Sequence, residues 1–137
     1  MKQLKLYIIG LTTLLAVLLT QGCVLLLAGA AAGAAVGTVS YVGNELHVNC
    51  DTTVDRAWTA ANAAMGAMEY TVIPAETHKD ATGGTVSGRN AKDQRVVIQL
   101  LRKAETTIAL SIRVGEFDTA ANRAAAQLFY DKMKVRL

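Results

Sequence analysis

No aspartate, glutamate, lysine or arginine occurs between Lys5 and Glu45, so nearly a third of this 137-residue chain is uncharged. Cysteine is scarce as well. Cys23 and Cys50 are the only two, which excludes a disulfide scaffold, because such folds depend on a dense cysteine framework. His47 and His78 are the only histidines. No serine lies in a nucleophile-elbow sequence, and no glycine loop has phosphate-binding spacing. Fourteen lysines and arginines against eleven acids leave a formal charge of +3, too small and too mixed to imply a nucleic-acid partner, and none is expected. What the chain does have is apolar content. At 52% hydrophobic it is no disordered polymer, and its length suits one domain of ordinary size.

The first half reads as an export signal. Lys2 and Lys5 form a basic head, Leu6 to Leu19 is apolar except for Gly10, Thr12 and Thr13, and Gly22 precedes Cys23. A basic head, a short apolar middle and a small residue at the cut make up the layout of a signal peptide. The Gln21-Gly22-Cys23 ending resembles the lipobox of bacterial lipoproteins. That resemblance implies cleavage after Gly22, a signal peptide over residues 1–22, and a thioether-linked diacylglycerol on Cys23 with an additional amide-linked acyl chain. Each buried methylene contributes about 0.8 kcal/mol, and stable attachment needs more than one chain or signal. The competing reading is an uncleaved span, since about 18 apolar residues suffice to cross a bilayer. Val24, where an inner-membrane lipoprotein of enteric type carries aspartate, implies by family analogy the outer membrane, facing the periplasm.

Residues 23–43 are a different kind of uncharged segment. Gly29, Gly33 and Gly37 stand four apart among alanines, and on a helix that spacing aligns them in one groove. Small residues at every fourth position let two backbones approach closely in lipid. A membrane-associating helix that builds a homo-oligomer is one expectation, and a low-complexity tether between lipid and domain is the other.

Residues 44–137 carry the patterns of a folded domain. Leu46, Val48 and Cys50 alternate with Glu45, His47 and Asn49, as in a half-buried strand, and Gly43-Asn44 suits a hairpin turn back to Val39–Val42. Thr52 and Asp55 look like a capping box ahead of a helical stripe of Val54, Trp58, Ala61, Met65 and Met68. Further strands are expected over Tyr70–Ile73, Thr85–Arg89, Arg95–Leu100 and Thr107–Val114, with His78–Gly84 as turns. Asp118 or Thr119 caps a last helix through Leu137, with Ala121, Ala125, Leu128, Phe129 and Met133 inward. The fold class is therefore α+β. An antiparallel sheet of four to five strands carries two amphipathic helices on one face.

The chain resembles a family of small bacterial lipoproteins catalogued as a domain of unknown function, numbered three-five-six-eight. The resemblance rests on four features. These are the Gly/Ala run after the lipobox, Tyr41-Val42 leading to Glu45-Leu46, the run Asp55-Arg56-Ala57-Trp58-Thr59-Ala60, and the run Ile112-Arg113-Val114-Gly115-Glu116-Phe117. Two glycines depart from the pattern: one falls early, at Gly43, and the one that usually follows the phenylalanine is missing before Asp118. The resemblance implies an envelope lipoprotein and no particular activity.

Candidate chemistry in the domain is sparse. His47, Cys50 and Asp51 are close in sequence, but strand alternation sends His47 and Cys50 to opposite faces, so no metal site and no cofactor is expected. Cys50 shares a side with Leu46 and Val48 and reads as a buried, inert thiol. An enzyme would need a pocket assembled from dispersed acids such as Glu76, Asp80 and Asp93, and the chain reads as non-catalytic. Outward positions on the strands include Arg89, Arg95, Lys103 and Arg113 among threonines, serines and Gln99. With both helices on one side, these would form an open cationic face for an envelope protein, an anionic glycan or a lipid headgroup. The alternative is a solvated face balanced by nearby acids.

Overall fold

The computed structural model describes residues 37–137. Residues 1–22, Gly22, Cys23, Gly29 and Gly33 therefore lie outside the described residues. The elements, in chain order, are β1 (Ser40–Val42), β2 (Glu45–Cys50), α1 (Val54–Ala67), β3 (Thr71–Val72), a 3-10 turn (Pro74–Glu76), β4 (His78–Lys79), β5 (Gly83–Arg89), β6 (Arg95–Ala104), β7 (Thr107–Val114) and α2 (Ala120–Lys134). All seven strands join one antiparallel sheet in the order β1-β2-β7-β6-β5-β3, with β4 also on β5.

The fold class is α+β, but the strand count exceeds the four to five expected. Two strands of two residues, β3 and β4, share the outer edge of β5 on either side of the 3-10 turn that Pro74 opens. Neither is long enough to show alternation, so His78-Lys79 reads as turn in sequence. At the other edge β1 pairs with β2, so the sheet begins at Ser40, inside the segment read as 23–43. Gly43 takes a positive φ of 61° and Asn44 does not, the pattern of a type II′ hairpin turn.

Both helices cover one face. Leu46, Val48, Val86, Val96, Ile98, Leu100, Ile108, Leu110, Ile112 and Val114 point into the core, every second residue along each strand. Thr53 caps α1, its hydroxyl accepting from Arg56 N at 3.3 Å. The cap is thus one residue later than the expected Thr52. The helix buries Ala57, Ala60, Ala61 and Ala64 with Val54 and Met65. Four alanines hold it close to its neighbours, while Trp58 is only half-buried at the rim.

Thr119 caps α2 through Asn122 N at 3.1 Å. Its buried residues are Ala126, Phe129, Tyr130 and Met133. Ala121 and Leu128, expected inside, face solvent. Tyr130 takes the inward place, because positions 126, 129, 130 and 133 follow the i, i+3, i+4, i+7 stripe of one helix face. Phe129 meets Tyr70 edge to face, with ring centroids 5.1 Å apart.

The domain has two distinct ends. At one, Gly37 runs so close to Asn49 that any side chain would strike its carbonyl. This end also holds the β6–β7 hairpin tip, the start of α1 and, beyond the Tyr130–Cys50 contact, the end of α2. At the other end are the turns at 43–44, 90–94 and 115–119. No helix among the described residues is long and apolar enough to cross a membrane.

Candidate functional site: the open face of the sheet

No helix covers the opposite face of the sheet, although Ser87 and Val97 on it are buried, and its register decides which side chains meet. Glu45 lies opposite Arg113, His47 opposite Ser111, and Asn49 opposite Ala109. On the far side of β7, Val97 pairs with Arg113, Gln99 with Ser111 and Leu101 with Ala109. A groove of about 380 Å³ crosses these rows, lined among others by Ser40, Glu45, His47, Asn49, Gln99, Leu101, Lys103 and Ser111. Its volume falls within the lower part of the range of small-ligand sites. Leu101 and Ala109 supply its apolar floor.

The groove carries a small polar cluster. Glu45 accepts from Ser111 Oγ at 3.4 Å and lies 3.3 Å from His47 Nε2. Ser111 and His47 face each other directly across two strands. The arrangement is nevertheless not that of an activated nucleophile, in which the imidazole takes the serine proton and a carboxylate orients the imidazole. Here the serine hydroxyl donates to the carboxylate.

All four predicted cations lie on this face, under different electrostatic conditions. Arg89 pairs with Asp93 at 2.7 Å, and Arg95 with Glu76 at 2.7 Å. Arg113 sits opposite Glu45 in register and shares a small depression with Arg95, Val97, Gly115 and Glu116. Lys103 lines the open groove and has no carboxylate within ion-pair distance among the described residues. The positive character therefore concentrates at the Lys103 end of the groove, while the arginines are offset by nearby acids.

The remaining candidates separate. Glu76 and Asp93 hold their arginines. Asp80 lies at the opposite end of the domain, where the Thr82 hydroxyl and the Thr82 and Gly83 amides keep its carboxyl below the usual range. The three acids do not converge. His78 is exposed on β4. No group of three metal-ligating side chains occurs among the described residues. Burial pushes the Cys50 thiol up to about 11, against a smaller opposing effect of Tyr130, so at neutral pH it is a protonated, poorly nucleophilic group.

At the other end, Asn122 donates to Phe117 O at 2.8 Å and accepts from Gln94, which in turn accepts from the Tyr70 hydroxyl. This chain fixes the loop after β7, where Gly115 has a φ of 68° and an Asn122 side chain against it. Glu45, His47 and Ser111 did not stand out as a group in the sequence. The alternation that turns them outward was legible, but their meeting requires β2 to lie beside β7, sixty residues on.

No curated protein matches this chain. Residues 5–127 match the family model described as "Protein of unknown function (DUF3568)", so the chain belongs to that family.

Proposed function

We propose that this is a lipid-anchored, non-catalytic protein of the bacterial cell envelope. Cleavage after Gly22 leaves Cys23 as the acylated amino terminus, which holds the protein in the outer membrane facing the periplasm. Its α+β domain binds an envelope partner, a protein or an anionic glycan, through the open sheet face. The observation that carries the binding part is the groove, where hydroxyl, amide and carboxylate groups line an apolar floor and Lys103 stands at one end without an acidic partner. Orientation by a few placed polar groups over apolar surface is how shallow sites recognise polar ligands. The non-catalytic part is supported by Ser111 donating to Glu45 rather than to His47.

The test is photo-crosslinking in the native cell from a probe at Gln99, combined with Lys103→Ser and Arg89→Ser. The expected result is a specific adduct that Lys103→Ser removes and Arg89→Ser retains, since Arg89 is already neutralised by Asp93. Adduct formation indifferent to both changes would remove the groove from the account.

A further inference from the structure

Charge is unevenly divided between the two ends of the domain. The end where the chain enters holds Arg56, Lys79, Arg102, Lys103, Lys132, Lys134 and Arg136, against Asp51, Asp55, Asp80, Glu105 and Asp131. Most of these acids are engaged locally. Asp55 binds Lys79 and Asp131 binds Lys134, while Asp80 accepts from its own turn. Five cations there have no carboxylate within ion-pair distance among the described residues. The far end has the opposite balance. There Lys92, Arg89, Arg95, Arg113 and Arg123 face Glu45, Glu69, Glu76, Asp93, Glu116 and Asp118.

We propose that the chain-entry end of the domain lies against the anionic phospholipid headgroups of the membrane that carries the anchor. This rests on the reading of Cys23 as the acylated terminus. Gly37 lies fourteen residue steps after Cys23, and even fully extended these reach at most about 50 Å. The domain is therefore confined near the surface, and its charge distribution selects the end that faces it. The attraction of an anionic surface decays over a Debye length of about 8 Å at physiological salt. The ten residues of β6 separate the two ends by about 33 Å at about 3.3 Å per residue, so only one end can lie within that layer. Val135, 73% exposed among Lys132, Lys134 and Arg136, adds an apolar contact of the kind that basic interfacial helices use.

The test uses full-length acylated protein in vesicles, with a nitroxide at Thr106→Cys on the β6–β7 tip or at Ala91→Cys on the β5–β6 tip. Both positions are exposed and uncharged, and native Cys50 is buried and protonated. In phosphatidylethanolamine vesicles with about one quarter phosphatidylglycerol, the label at 106 should lose accessibility to a water-soluble relaxation agent, while the label at 91 keeps it. Accessibility at 106 should return in phosphatidylcholine vesicles, at about 1 M salt, where the Debye length is about 3 Å, and in a Lys103→Glu, Lys132→Glu, Arg136→Glu variant. Equal accessibility of both labels on the anionic vesicles overturns the proposal, as does protection at 106 that ignores lipid charge. The intact mass of the same sample reports acylation independently. An unacylated mass sinks the anchor itself, whereas an acylated mass with two exposed labels sinks only the orientation.

Discussion

Raising the pH above 9 should destabilise the domain, and the burial of Cys50 sets how steeply. The residue is 2% exposed, and burial pushes its thiol up to about 11 from an ordinary 9.0. The folded chain thus keeps this proton in a range where the unfolded chain has lost it. This contribution to stability is complete below pH 9 and disappears as the pH climbs toward 11. A gap of two units corresponds to about 3 kcal/mol, a large share of the roughly 5–15 kcal/mol that holds a domain together. Tyr130, pushed up to about 12 by burial and by its neighbour Cys50, extends the decline. Because the charge of each raises the cost of charging the other, their contributions do not simply add. Urea midpoints of wild type and Cys50→Ala between pH 8 and pH 11 measure the effect, and the variant should show the shallower alkaline loss. Reactivity gives a second reading in a Cys23→Ser chain. At pH 8 the thiolate fraction of Cys50 should be about 100-fold below that of an ordinary cysteine, slowing reaction with a disulfide reagent in proportion. A native rate equal to the rate in denaturant, or a midpoint unchanged from pH 8 to pH 11, would show that burial does not hold the Cys50 proton.

Three further outcomes follow from particular contacts. Gly84→Ala places a methyl group 2.8 Å from the His78 carbonyl and 2.9 Å from the Trp58 ring, so it should cost about 1–3 kcal/mol by overpacking in urea unfolding. Gly66→Ala, on α1 with nothing within 4 Å of the new methyl, should instead raise stability by about 0.5–1 kcal/mol. Gly37 is required by the close approach to Asn49, so an oligomer built on the glycine ladder is properly tested with Gly29→Leu and Gly33→Leu alone. Those two changes should abolish crosslinked multimers with the domain still folded, and multimers that persist would exclude the ladder as their cause.

Much of the fold was legible because its longer elements obey a single period. Leu46-Val48-Cys50 and Ile108-Leu110-Ile112-Val114 alternate without interruption, and both end up on the core face. The two-residue strands beside Pro74 carry no such signal and emerge only from pairing with β5. On α2 the inward face differed at two positions. Ala121 and Leu128 are exposed, while Ala126 and Tyr130 are buried, because they complete with Phe129 and Met133 the stripe of one helix face. The open face was legible as a set of outward positions, whereas its electrostatics were not. Glu76 and Asp93 reach Arg95 and Arg89 from outside β5 and β6, and nothing in strand alternation announces those pairs. The groove depends on a neighbour relation, β2 beside β7, that no local pattern encodes.

Whether Cys23 carries the anchor is decided by mass spectrometry of the protein extracted from its own host. The amino-terminal peptide should begin at Cys23 and carry a thioether-linked diacylglycerol and an amide-linked acyl chain. An unmodified chain that still begins at Met1 would rule out the lipid anchor.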